Sequence, residues 1–140
     1  MRYLVDTNVI SEAIKPRPDT RVETWLRNQP SLDLALSALT YGEIRKGILL
    51  LADGRRKQLL ERWLATELPL QFAGRVLPVG EPIALEWGRL LVEGRRKGRE
   101  LPPIDGLLIA TASVHGLILV TRNERDCANR GVPILNPWSL

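Results

Sequence analysis

Tyr3-Leu4-Val5-Asp6-Thr7-Asn8 runs three β-prone apolar residues directly into an acid, a hydroxyl and an amide, residue types that cap helices or start turns. It reads as a short buried strand that delivers the chain straight into a helix. That helix carries Val9, Ile10, Ala13 and Ile14 and stops near Lys15, because Pro16 and Pro18 disfavour helical geometry in the residues before them. The spacing of Val22, Trp25 and Leu26 predicts a second helix over Asp19 to Asn28, and Leu34 to Ala38 reads as a second strand. Thr40-Tyr41-Gly42-Glu43 matches the S/T-x-x-E capping box and sets a helix start there. Apolar spacing then predicts two antiparallel helices, to about Leu51 and from Gly54 to about Leu68. Arg75 to Val79 reads as an edge strand, since Pro78 cannot donate to a central ladder. Helices follow from Pro82 to about Lys97 and from Ile104 to His115, the latter stopped by Gly116. Leu117 to Val120 is the plainest strand, followed by a short helix to about Arg130 and a last strand over 133–137. Strands alternating with helices predict an α/β fold, a three-layer α/β/α sandwich with a central, mainly parallel sheet and right-handed crossovers. In such sheets ligands sit outside the carboxyl ends of the strands.

The chain of 140 residues, with 44% hydrophobic and 26% charged residues, suits one globular domain spanning 1–140, without repeat, low-complexity tract or linker. Its longest apolar stretches fall well short of the ~20 residues of a bilayer span, so no membrane is expected. Asp6 interrupts the N-terminus too early for a signal peptide, and Cys127 alone allows no internal disulfide, so a cytoplasmic location is the expectation. A net charge of +4 suits a polyanionic partner such as nucleic acid. The cations gather at Arg55-Arg56-Lys57 and at Arg95-Arg96-Lys97-Gly98-Arg99. Either run also fits a solvated helix end, where cations favour the negative pole of the helix dipole. Arg95, Arg96, Lys97 and Arg99 are the candidates for contacting nucleic acid.

Four acids stand beside strand ends: Asp6 after the first strand, Glu43 at a helix start, Asp105 in a first helical turn and Asp126 beyond the last long strand. Each alone has a local explanation as a cap or first-turn residue. Together they would crowd one end of the sheet. Two unit charges ~4 Å apart repel by ~4 kcal/mol at an effective dielectric of ~20, so such a set takes up protons or binds cations. Without a Cys/His ligand set, hard carboxylate oxygens favour Mg²⁺, with Mn²⁺ as a substitute, over zinc. An acidic pocket in a basic protein suggests metal-assisted phosphodiester chemistry.

Val5-Asp6-Thr7-Asn8, Thr40-Tyr41-Gly42-Glu43, Pro102-Pro103-Ile104-Asp105-Gly106-Leu107-Leu108-Ile109-Ala110 and Leu119-Val120-Thr121-Arg122-Asn123-Glu124-Arg125-Asp126 resemble, in order, the motifs of the PIN-domain nucleases. Asn136-Pro137-Trp138 resembles the end of their VapC/FitB-like toxin subgroup, found in prokaryotic toxin–antitoxin pairs. The resemblance implies a Mg²⁺-dependent ribonuclease that cuts RNA by water attack, leaving 3′-hydroxyl and 5′-phosphate ends. It further implies a homodimer held in check by a cognate antitoxin in a heterotetramer or larger assembly. It makes Asp6 and Asp105 direct metal ligands, with Glu43 completing the set and Asp126 acting through water or on a second metal. Thr7, Asn8, Thr121 and Asn123 would hold carboxylates and water, a task their hydroxyl and amide groups also suit chemically. Two positions depart from the subgroup: Cys127 replaces a common phenylalanine, and Gly106 replaces a small alanine, which should loosen its helical turn by roughly 0.5–1 kcal/mol. Two alternatives stand beside this reading. One is a catalytically silent PIN-fold module binding nucleic acid or protein. The other is a haloacid-dehalogenase-type phosphatase, which would want a second Asp where Asn8 stands.

Overall fold

The computed structural model describes residues 1–140. Five strands, β1 (Tyr3–Val5), β2 (Leu34–Ser37), β3 (Val76–Leu77), β4 (Ile118–Val120) and β5 (Ile134–Leu135), form one sheet in the order β3-β2-β1-β4-β5. Every pairing is parallel, with Leu4 opposite Ala35 on one side and Leu119 on the other. Helices α1 (Thr7–Ala13) and α2 (Thr20–Asn28) link β1 to β2. Next come α3 (Ala38–Leu49), α4 (Arg55–Ala65) and α5 (Glu67–Gln71), leading to β3. An antiparallel pair, α6 (Glu81–Arg96) and α7 (Pro103–His115), returns the chain to β4, and α8 (Glu124–Cys127) precedes β5.

Strand side chains alternate between faces, so the sheet has a core on each side. Tyr3, Val5, Leu34, Leu36 and Val120 pack with residues of α1 to α5, including Val9, Val22, Ile44 and Leu68. Leu4, Ala35, Leu77 and Leu119 pack with α6 and α7 through Ile83, Leu90, Leu108 and Ile109. Each fully buried aliphatic side chain stabilises the fold by about 1.5–3 kcal/mol. The α/β/α layering read from sequence is therefore the observed one, and no helix is long and apolar enough to cross a membrane.

Three local expectations are corrected. Helix α3 begins at Ala38, with the Ser37 side chain accepting from Leu39 N at 3.1 Å, so Thr40 and Glu43 lie inside the helix and form no capping box. The single helix expected over 54–68 is broken at Thr66, because Pro69 would clash with the Ala65 carbonyl in a continuous helix and fits only in the first turn of a new one. The helix expected to reach Arg130 ends at Cys127.

Topology fixes where a ligand can go. The chain winds outward from β1 through β2 to β3, then returns to the other side of β1 at β4. The crevice at this reversal lies beyond the carboxyl ends of β1 and β4. Asp6 and Thr121 are the residues that immediately follow those two strands.

Candidate active site

Asp6 leaves β1 with extended backbone and starts α1, yet capping does not account for its side chain. One oxygen, Oδ1, accepts from Thr7 N at 2.6 Å, whereas a capping side chain would serve the amides one or two residues further on. The other, Oδ2, accepts from Thr121 Oγ1 at 2.7 Å and Asn8 Nδ2 at 3.3 Å. The Thr121 hydroxyl is itself held, accepting from Asn123 N at 3.0 Å. Asn8 closes the ring by accepting from Arg122 N at 3.4 Å. The turns that leave β1 and β4 are thus laced together around one carboxylate.

Glu43 reaches the same place from α3. Its Oε1 accepts from Thr7 Oγ1 at 2.6 Å, and the buried Thr40 hydroxyl lies 3.2 Å from Thr7 Oγ1. Asp105 comes from the first turn of α7 and Asp126 from α8, and the Asn123 amide bridges them, donating to Asp105 Oδ2 at 2.9 Å and Asp126 Oδ2 at 3.1 Å. The four acids and four supporting polar residues singled out in the sequence therefore meet at the end of the sheet where the strand order reverses.

Charge and burial act on these groups together. Burial pushes the Asp6 carboxyl up from 3.8 to about 6, against hydrogen bonds from Thr121 and Thr7 and with added repulsion from Glu43 and Asp105. Asp105 is also raised, first by burial and then by the charges of Asp126 and Glu43. The thiol of Cys127, packed behind the acids, rises to about 12 through burial and the negative charges of Asp105, Asp6 and Asp126. Cys127 is fully buried in the core beside α7, so its short side chain leaves α8 seated.

The donor set fits a hard dication: it is all carboxylate oxygen, and burial and mutual repulsion make part of it reluctant to stay ionised without a cation. No three of these acids close tightly enough to enclose an ion with protein oxygens alone. Mg²⁺ asks less than such an enclosure, because it keeps several waters and takes only one or two carboxylates. Beside the acids runs an open groove of about 870 Å³, lined in part by Thr7, Glu43, Lys46 and Ile104. A separate cavity of about 520 Å³, bordered by Ile10, Leu26, Trp63 and Phe72, contains none of the acids.

The basic runs have a more domestic placement than their charge suggests. Arg55-Arg56-Lys57 opens α4, the positive pole of that helix, and Arg56 instead donates to Ile14 O at the end of α1 at 2.7 Å. Lys97 pairs with Glu93 at 2.9 Å, while Arg99 donates both ends of its guanidinium to main-chain carbonyls. Arg95 and Arg96 are exposed at the end of α6. Sequence reasoning passed over Arg122, an exposed cation next to Thr121 whose guanidinium carbon lies 5.0 Å from the Trp138 ring centre. Its signal was the apposition of the Thr121-Arg122-Asn123 turn with the closing Asn136-Pro137-Trp138. Gly106 also reads differently in place: a Cβ there would lie 3.0 Å from both Leu101 and Trp87. The glycine makes room for those side chains. His115 is exposed at the far end of α7, away from the acids.

With the α/β/α fold and the carboxylates at the strand-order reversal described, comparison with known proteins identifies the class. The PIN domain family model matches residues 3–130, and the chain belongs to that family, within its FitB/VapC-like group. It is 41% identical to Toxin FitB of Neisseria gonorrhoeae over 96% of this chain and 97% of the relative. The crystal structure of FitAcB from the same organism matches with a TM-score of 0.94 at 38% identity, covering 99% of each chain. VapC ribonuclease Y4jK of Sinorhizobium fredii is 35% identical over 96% of each chain. A toxin–antitoxin complex from Klebsiella pneumoniae matches with a TM-score of 0.73 at 26% identity, covering 96% of this chain and 97% of that one. Family membership removes the support for the phosphatase alternative.

Proposed function

We propose that this chain is the toxin of a toxin–antitoxin pair and acts as a metal-dependent endoribonuclease at the Asp6–Glu43–Asp105–Asp126 pocket. One observation carries the reading: four carboxylates from four separate elements converge on a single hydrogen-bonded cluster, where burial raises the Asp6 carboxyl to about 6. A module that only bound RNA would gain nothing from negative charge facing phosphate. The relatives named toxin, ribonuclease and toxin–antitoxin complex support the same assignment and supply the class of partner, a cognate antitoxin.

Asp6 and Asp105 are the residues that would hold Mg²⁺ or Mn²⁺, with Glu43 and Asp126 completing the set. Bound there, a dication supplies a lowered pKa for an attacking water and charge neutralisation at the scissile phosphate. The chain's own residues do the positioning. Thr121 and Thr7 N hold the two Asp6 oxygens in fixed directions, and Thr7 Oγ1 does the same for Glu43. Asn123 holds Asp105 and Asp126 at a common amide, which limits their mutual repulsion. The groove beside Glu43 gives a strand of RNA an approach, and Lys46 on its wall and Arg122 beside the pocket offer cations to flanking phosphates. A homodimer would place two such grooves in one assembly.

Incubation of total RNA with the purified protein tests the proposal. Cleavage is expected with Mg²⁺, and none with EDTA or with Asp105→Asn at unchanged circular dichroism. Wild-type rates from Asp105→Asn would refute the assignment.

A further inference from the structure

Asp105 and Asp126 sit on the two least self-supporting pieces of the pocket. Asp105 follows the turn of residues 97–102 between α6 and α7, and Asp126 lies in a helix of only four residues, too short to hold its own shape. Two arginines outside the acid set join these pieces. Arg130, only 6% exposed, donates from Nε to Asp126 O at 2.7 Å, from Nη1 to Arg99 O at 3.1 Å and from Nη2 to Glu100 O at 3.2 Å. Arg99 reaches the opposite way, from Nη1 to Ala128 O at 2.6 Å and from Nη2 to Arg125 O at 2.7 Å. All five bonds end on main-chain carbonyls, and four of them cross between the two segments, so each arginine satisfies orphan acceptors of the segment that carries the other. Helix α6 is shaped to allow this. A Cβ on Gly94 would lie 2.6 Å from Arg99 O and 3.1 Å from Arg130 Nη1, and Gly94 O accepts from Arg99 N at 2.8 Å.

We propose that Arg130 and Arg99 form a reciprocal clamp that sets the separation of the Asp105 and Asp126 carboxylates, and with it the divalent-cation affinity of the pocket. They are positioning residues, and neither touches RNA or cation. The main-chain carbonyl that Arg130 grips belongs to Asp126 itself, so a shift of this guanidinium moves that carboxylate directly. Lysine cannot substitute for either member, because one ammonium lacks the rigid fork that spans two or three carbonyls.

This inference rests on the metal site proposed above, and the test separates the two. Mn²⁺ binding to the full-length, metal-stripped protein is measured by electron paramagnetic resonance for wild type, Arg130→Lys, Arg99→Lys, Gly94→Ala and Leu68→Ala. Leu68 is fully buried on the opposite face of the sheet, so its truncation costs global stability without touching the clamp. The three clamp variants are expected to lose roughly tenfold or more in Mn²⁺ affinity, on the scale of other residues that orient metal ligands. Leu68→Ala should keep wild-type affinity at an equal or larger loss of melting temperature. In the absence of metal, the Asn123 side-chain amide resonances should also shift in Arg130→Lys, since they report the Asp105–Asp126 bridge. Wild-type Mn²⁺ affinity in folded Arg130→Lys or Arg99→Lys overturns the clamp and leaves the metal site standing. Failure of the wild type to bind Mn²⁺ overturns both. Should Arg130→Lys not fold, Arg99→Lys and Gly94→Ala carry the same comparison.

Discussion

Replacing Asp6 with asparagine separates the stability of this fold from its function and makes the difference depend on pH. In the metal-free protein the Asp6 carboxyl titrates near 6, against 3.8 when exposed. Between those values the folded chain holds a proton that the unfolded chain has lost. Stability from this group is therefore complete below about pH 4 and declines as pH rises through the window to about 6. The rise corresponds to about 3 kcal/mol at neutral pH, for a group that is almost wholly buried. Asparagine keeps an acceptor for Thr7 N and carries no charge to desolvate, while its amide nitrogen replaces the oxygen that accepts from Thr121 Oγ1 and Asn8 Nδ2, a loss that does not vary with pH. Urea unfolding in EDTA should thus find Asp6→Asn gaining about 2–3 kcal/mol on wild type between pH 4 and pH 7. Adding millimolar Mg²⁺ should raise the wild-type melting temperature and leave the variant almost unmoved, because only a native state that binds the ion is stabilised by it. RNA cleavage by the variant should vanish. A stability difference that stays constant from pH 4 to 7 would refute the claim that desolvated, crowded charge dominates at this carboxylate.

Three further outcomes follow from particular contacts. Asn123→Ala removes the amide shared by Asp105 and Asp126 and should weaken Mn²⁺ binding and cleavage by about 10–100-fold with little change in melting temperature, measured by titration and single-turnover assays. Arg122→Ala should lower the affinity of an inactive Asp105→Asn background for single-stranded RNA and reduce the slope of log K against log salt by about 0.7, the share of one phosphate. Gly106→Ala, which helix propensity alone would favour by about 1 kcal/mol, should instead destabilise the protein to thermal unfolding, since its methyl would meet Leu101 and Trp87 at 3.0 Å.

The parts of the site legible in the sequence are those that topology places by chain adjacency. Asp6 follows β1 and Thr121 follows β4, so once both strands are recognised as parallel neighbours, the two residues must meet at the strand ends. The capping box misled because a helix start depends on where the preceding strand lets go. Ser37 pairs with Leu77 across to β3, which fixes the end of β2 and makes Ser37 the cap, so Thr40 is carried inward toward Thr7. Two equally good local caps compete, and a contact some forty residues away chooses between them. Glu43 kept its place in the acid set despite the misread local role, because a helix beginning three residues earlier still turns that position toward Thr7.

Charge was the harder property to read, for a related reason. A run such as Arg95 to Arg99 signals a surface that attracts polyanions only if its guanidinium groups have no better acceptor, and acceptors are created by folding. The four-residue α8 exposes carbonyls at Arg125, Asp126 and Ala128 that no helix of that length can satisfy internally, and Arg99 and Arg130 are the donors within reach. The shortness of α8 therefore has two effects. It lets the chain present Asp126 and Asn123 within one turn of β4, and it leaves main chain that only planar, many-donor side chains can hold. Where an acid must be delivered on a single helical turn, that turn needs outside donors, and Arg99, which sequence alone would assign to the substrate, is one of them.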